Sequence, residues 1–281
     1  MRVMTFNILH DAVRNLAAPW GARRDAVAGT VRGADPDVAC LQEVSPRQLD
    51  SLMEALPEYD FLPGIPTGPT RVPRWAAGIV VLARPILGDY MDRGELCPIL
   101  IRKGRLSSVE HGSARLSFTQ EGLGPAWDDF PTPHVLTWAR LQGGAGSAFT
   151  VHNTHLGILP WNWARTAKEL LSILGRDWHG EPQILAGDFN TLPWGPLVRL
   201  LRDGGDDPTK GFHDAWLEAR KREGRAWTFH WGVGWSGPRL DYIMVRPQSK
   251  VSKAMTLGTR TDRVFPSDHF AVAADLELGV S

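Results

Sequence analysis

The stretch Ile184-Leu185-Ala186-Gly187-Asp188-Phe189-Asn190 is a short apolar run that stops at a glycine and then presents a carboxylate and a carboxamide. Bounded by Gly and Pro, a run of this length reads as a buried strand, so Asp188 and Asn190 fall where that strand ends. Side chains two apart on an extended segment share a side, and strand ends are where a rigid scaffold hands polar groups to a cleft. The alternative is an Asx-type turn in which both side chains bond only nearby backbone.

The same arrangement recurs along the chain. Arg2 to Ile8 reads as a strand carrying Asn7, and Asp37 to Leu41 as a second with Glu43 just beyond it. Leu96 to Ile101 is a strand preceded by Gly94-Glu95. Val135 to Leu141 and Ala148 to His155 form a hairpin joined through Gly143, Gly144 and Gly146, and its second arm ends in His155. Leu240 to Val245 starts beside Asp241, and Phe270 to Leu278 follows Asp268-His269. Between these runs the spacing predicts helices over residues 22–33, 46–56, 164–175, 196–201 and 212–220. Residues 77–83 read as a further strand and 105–118 as one or two, while 57–73 and 122–133 read as loops. With no linker and no internal repeat, the chain is expected to form one domain over residues 1–281. Strands and helices alternate in clusters, which argues against a purely parallel sheet.

Bulk properties narrow the function. Basic and acidic residues balance at 31 each, so no global positive field draws the chain to nucleic acid or an anionic membrane. The two cysteines, Cys40 and Cys97, lie in or beside apolar runs and suit buried free thiols better than a disulfide framework or metal cluster. The start of the chain lacks the features of an export signal, and no apolar run approaches the roughly 18 to 20 residues that span a bilayer. A soluble, cytoplasmic, monomeric protein is the expectation.

Nine polar residues thus border strand-like runs: Asn7, Glu43, Glu95, His155, Asp188, Asn190, Asp241, Asp268 and His269. Glu43, Asp268 and Asn7 are hard oxygen donors that suit Mg²⁺ or Mn²⁺ better than zinc. The two histidines, with Glu95 and Asp241 available, suit acid–base chemistry, because a carboxylate fixes an imidazole's tautomer and stabilises its protonated form. A hard metal beside paired histidines points to phosphoester hydrolysis. None of the nine histidines forms the His-x-x-x-His pair of a helical zinc site.

The blocks Thr5-Phe6-Asn7, Leu41-Gln42-Glu43-Val44, Asn153-Thr154-His155-Leu156, Gly187-Asp188-Phe189-Asn190, Leu240-Asp241-Tyr242-Ile243 and Ser267-Asp268-His269-Phe270 together resemble the endonuclease/exonuclease/phosphatase superfamily, which has the fold of deoxyribonuclease I. The resemblance runs in order from residue 3 to about 278. It implies an α/β (α+β) four-layer sandwich, two mixed β-sheets flanked by helices, with the site at one edge. It also implies Glu43 as the principal metal ligand, with Asn7 and Asp268 close by. Asp188 and Asn190 would orient or deprotonate the attacking water, and His269 with Asp241 and His155 with Glu95 would contact the phosphoryl group. Asp188 and His269 both remain candidates for the base.

Fold alone does not fix substrate. Trp161, Trp163 and Arg165 follow His155, and Trp194 follows Asn190, so these loops could stack a base, a sugar or an apolar headgroup, or could simply cover the sheet edge. With no net charge, a phosphodiesterase acting on small or single-stranded substrates is the first expectation. The alternatives are a duplex nuclease using a local basic groove (Arg71, Arg74, Arg165, Arg239), an inositol-phosphate phosphatase or sphingomyelinase-like hydrolase, and a non-catalytic binding module.

Overall fold

The computed structural model describes residues 1–12, 18–68, 94–116, 134–143, 148–176, 178, 180–258, 260 and 264–278. Seven strands form the first sheet: β1 (Arg2–Asn7), β2 (Val38–Gln42), β3 (Tyr59–Leu62), β4 (Ile99–Arg102), β10 (Lys221–Glu223), β12 (Lys250–Leu257) and β13 (Ala271–Glu277). Their spatial order is β10-β12-β13-β1-β2-β4-β3. The second sheet holds β5 (Leu106–Leu116), β6 (His134–Gly143), β7 (Phe149–His155), β8 (Gln183–Asp188), β9 (His213–Asp214) and β11 (Asp241–Arg246), in the order β5-β6-β7-β8-β11-β9. Both sheets are mixed. β1 runs parallel to β2 and antiparallel to β13, and β8 runs parallel to β7 and antiparallel to β11.

Alternation along each strand builds the layers. Val3, Cys40, Val151, Ile184, Ile243 and Val272 face one another between the sheets. From the same strands, Met4, Phe6 and Leu41 turn outward beneath α1 (Trp20–Ala34) and α2 (Pro46–Ala55). On the far side Leu185, Tyr242 and Met244 pack under α3 (Trp163–Gly175) and α4 (Pro196–Asp203). The central strands β2 and β8 are therefore buried on both faces, which is why they read as near-continuous apolar runs. The result is helix, sheet, sheet, helix. Cys40 and Cys97 are buried and free, as expected. Among the described residues no helix is long and apolar enough to cross a membrane.

Two details hold the edge that carries these strand ends together. Between the sheets Gln42 Nε2 donates to Asn153 Oδ1 at 2.7 Å, and Asn153 Nδ2 donates to the carbonyls of Leu41 and Pro98 at 2.8 Å each, so a buried polar staple joins β2 to β7. In β8, Gly187 sits at φ +152°, where a Cβ would lie 1.9 Å from the Thr154 carbonyl oxygen. Only glycine allows that approach.

The sequence pattern missed some elements. Residues 212–220, expected as a helix, instead give β9 and the single turn α5 (Ala215–Glu218). The reason is Asp214, whose Oδ1 caps the turn by accepting from Trp216 N at 3.0 Å and whose carboxylate is fixed by Arg239, so the chain leaves a sheet edge there. Within the expected 57–73 loop, Tyr59–Leu62 pairs with β4 as an edge strand. β12 was not predicted, because Lys-Val-Ser-Lys-Ala-Met-Thr-Leu has no clean alternation. The readings for residues 77–83 and 122–133 lie outside the described residues.

Candidate active site

The strand ends deliver all nine polar residues to one edge, where they are linked to one another. Asp188, 1% exposed, lies at the centre. Its Oδ2 accepts from Asn7 Nδ2 at 3.0 Å and lies 3.7 Å from His155 Nε2 and 3.6 Å from His269 Nε2. Its Oδ1 accepts from Asn190 N at 2.9 Å, the Asx-type contact, so both sequence readings of this segment hold at once. Each histidine is backed by a carboxylate on its other nitrogen. His155 Nδ1 meets Glu95 Oε1 at 2.6 Å, and His269 Nδ1 meets Asp241 Oδ2 at 2.8 Å.

Glu43 stands at φ +57° and Asn190 at φ +49°, both in the left-handed region. Such a backbone costs about 1 kcal/mol or more for a side chain like Glu and persists when the surroundings enforce it. Here Glu43 Oε1 accepts from Asn7 Nδ2 at 2.9 Å and Oε2 from His10 N at 3.1 Å, which turns the carboxylate off the strand end toward Asn7. Asp268 joins through Ser267, whose Oγ lies 2.7 Å from the Asn7 carbonyl and 3.2 Å from Asp268 Oδ1.

Electrostatics sort the groups. Burial pulls His155 toward neutrality, but the adjacent carboxylates of Glu95 and Asp188 outweigh it and push its pKa up to about 10. Burial likewise opposes protonation of His269, and the charges of Asp241 and Asp188 carry it well above the ordinary histidine value. Asn190 Nδ2 lies 2.9 Å from His155 Nε2, an arrangement that favours the neutral ring. The same Nδ2 donates to the Leu156 carbonyl at 2.9 Å, which fixes the amide nitrogen on this side, so Asn190 favours the neutral ring while the two carboxylates favour the charged one. Burial, and next the charge of Asp241, raise Asp188, while the two histidines and Asn7 restrain the rise.

Several participating residues carried no sequence signal. Arg23, on α1, is almost fully buried and donates to the carbonyls of Ile8 at 2.6 Å, Pro266 at 2.8 Å and Leu9 at 2.9 Å, tying the segment after Asn7 to the segment before Asp268. Burial lowers its pKa to about 10, against the pull of Asp268 and Glu43, so it stays charged at neutral pH. Thr228 Oγ1 accepts from Leu240 N at 3.0 Å and Asp241 N at 3.2 Å, which places Asp241. The Phe229 ring centroid is 4.9 Å from that of His269. For the tryptophans, Trp163 donates from Nε1 to the Gly157 carbonyl at 3.0 Å and packs on the core under α3. Trp161 (64% exposed) and Trp194 (71%) are free to meet a ligand, and Arg165 is exposed.

A divalent cation has oxygen donors to meet. Glu43 is half-buried and held by two hydrogen bonds, and Asp241 Oδ1 is buried without a hydrogen-bond partner. Asp188, Asp241 and His269 together place one ligand atom each within 4.8 Å of one another.

The fold is shared with solved structures. An endonuclease/exonuclease/phosphatase protein from Bacteroides vulgatus superposes with a TM-score of 0.80 at 23% identity, over 99% of this chain and 98% of that one. A mannosyl-6-phosphatase from Bacteroides thetaiotaomicron superposes at 0.73 and 24% identity, over 99% and 100%. TDP2 from D. rerio, complexed with a single-strand DNA product, superposes at 0.69 and 17% identity, over 99% and 98%. No curated protein matches the chain. The Endonuclease/Exonuclease/phosphatase family matches residues 4–269, nearly the whole chain and every one of the nine site residues, and the chain belongs to this family of phosphoric ester hydrolases.

Proposed function

We propose that this chain is a Mg²⁺- or Mn²⁺-dependent phosphodiesterase acting on small or single-stranded substrates. The observation that carries the reading is Asp188, a buried carboxylate held by Asn7 between two histidines that are each backed by a carboxylate. Glu43, with Asn7 and Asp268 beside it, would hold the cation, since these are hard oxygen donors and His269 is committed to Asp241. When bound, the metal supplies Lewis-acid polarisation of a phosphoryl oxygen.

The remaining chemistry falls to the chain's own groups. The carboxylates beside His155 and His269 favour their protonated forms, in which both donate hydrogen bonds to the charge that builds on the phosphoryl oxygens. Asp188 is the group between them able to take a proton from water, and its raised pKa makes it a stronger base than an exposed carboxylate. Asn190 is placed by its contacts to Asp188 and His155 to hold the water or a phosphoryl oxygen.

Substrate size is supported by an apolar cleft of about 370 Å³ beside the site, lined by Trp194, Trp216, Trp227, Leu217 and Pro238. It is large enough for one flat or sugar-sized group. The decisive screen is metal-dependent product release from bis(4-nitrophenyl) phosphate, short RNA, plasmid DNA, an inositol phosphate and a choline phospholipid, with Asp188→Asn as the blank. Turnover of the small diester or short strand, lost in Asp188→Asn, is expected. Exclusive release of phosphate from the monoester would replace diesterase by phosphatase.

A further inference from the structure

The segment between β10 and β11 crosses the catalytic edge, with Phe229 against His269 and His230 N donating to the Asp268 carbonyl at 2.8 Å. On the other side of this segment a cleft of about 410 Å³ opens toward the end of β12, lined by Arg225, Arg260, Phe265, Phe270 and glycine backbone. The Arg225 guanidinium lies over the rings of Trp227 at 5.1 Å and Phe270 at 5.9 Å, and Nη1 donates to the Gly234 carbonyl at 3.3 Å. Arg260 lies over Phe265 at 4.1 Å, and Nη2 donates to the Val233 carbonyl at 3.4 Å.

Both guanidiniums line the cleft with only ring and carbonyl contacts. Arg2, Arg102, Arg105 and Arg239 each meet a carboxylate, whereas among the described residues Arg225 and Arg260 meet none. Each guanidinium carries five N–H donors, so most remain available. Stacking restricts both planes, which lowers the entropy lost when they grip a ligand. The cleft walls are also shaped for close approach, since a Cβ at Gly234 would lie 2.5 Å from the Phe265 ring and one at Gly258 2.9 Å from the Phe270 ring. Two stacked guanidiniums lining one cavity match a tetrahedral oxyanion.

We propose that this cleft binds a second phosphate of the substrate while the scissile phosphate sits at His269. The inference rests on the hydrolase reading and narrows it to substrates with at least two phosphates. The second phosphate comes either from the next nucleotide of a single strand or from a small polyphosphorylated molecule.

The test compares the wild type with Arg225→Gln/Arg260→Gln, whose two side chains are exposed and outside the catalytic set. Steady-state kinetics on oligothymidylate, an inositol bisphosphate and bis(4-nitrophenyl) phosphate should show KM raised about tenfold for one of the first two. kcat should be unchanged, and the single-phosphate diester unaffected. A shift for oligothymidylate identifies a strand, and one for the bisphosphate alone identifies a small molecule. Equal loss on all substrates, or no shift on either multiphosphate substrate, overturns the proposal. Calorimetry with pyrophosphate in the presence of a chelator separates the two readings. Wild-type binding that the double variant loses keeps the cleft even if no substrate is turned over, and absence of wild-type binding removes it.

Discussion

His155 holds its proton because Glu95 is 2.6 Å away in a buried setting. Its folded pKa of about 10 lies above the ordinary 6.5 of the unfolded chain. The stabilisation from this pair is therefore fully present below pH 6.5 and is lost as pH rises toward 10. Urea midpoints measured across that range should fall with pH, and Glu95→Gln should flatten the slope; an unchanged slope would show that the pair is not the source. Glu43→Gln tests the ligand set separately. A neutral amide is a poorer ligand for a hard cation, so Mg²⁺ affinity should weaken about tenfold or more while the melting temperature stays near that of the wild type. Calorimetry showing unchanged affinity would remove Glu43 from the site. Arg23 shows what a sequence hides at this scale. Glu43 and Asp188 could be read because each interrupts or ends an apolar run, whereas Arg23 sits inside a helix and acts on carbonyls as far as 243 residues away. Replacing it with Met removes the donor to the Ile8 and Pro266 carbonyls while Leu9 keeps Gln48 Nε2, and a loss of about 2–4 kcal/mol in urea unfolding is expected.

Strands were legible wherever both faces are buried. β1, β2 and β8 are near-continuous apolar runs because each has a sheet on one side and helices on the other. The edge strands β3, β9 and β10 were not, since they are short and take their conformation from neighbours, whereas the long edge strand β5 was expected within 105–118. The same logic applies to the staple between β2 and β7. Gln42 and Asn153 look like ordinary polar positions until the two sheets face each other, and then they bond one another and the Leu41 and Pro98 carbonyls. Asn153→Ala would remove one acceptor from the Gln42 amide, which keeps Thr5 Oγ1 and the Cys40 carbonyl, and one donor from the Leu41 and Pro98 carbonyls, the latter keeping Leu41 N. A cost of about 1–2 kcal/mol follows from the lost hydrogen bonds. Asn153→Leu should be no better, because the polar partners remain. If chemical denaturation shows either variant within about 0.5 kcal/mol of wild type, water must reach the space between the sheets.

Over the whole molecule the balance of 31 basic and 31 acidic residues hides an uneven distribution. Arg239 cannot contribute to a basic groove, because both its terminal nitrogens are bound to Asp214, at 3.0 and 2.5 Å. Arg71 and Arg74 lie outside the described residues. Among the described residues Arg225 and Arg260 line one cleft without a carboxylate partner, and two cations are too few to track a duplex. Nonspecific affinity for duplex DNA comes mainly from phosphates neutralised, and its logarithm falls with the logarithm of salt with a slope of about −0.9 per phosphate contact. Plasmid binding by Asp188→Asn should therefore be weak, with a slope no steeper than about −2 if only these two arginines reach phosphates. Fluorescence anisotropy with labelled duplex and single-stranded oligonucleotides between low and moderate salt measures both. Tight duplex binding with a slope of −5 or steeper would mean that a much larger basic surface faces the site, and the substrate preference would then pass to duplex DNA.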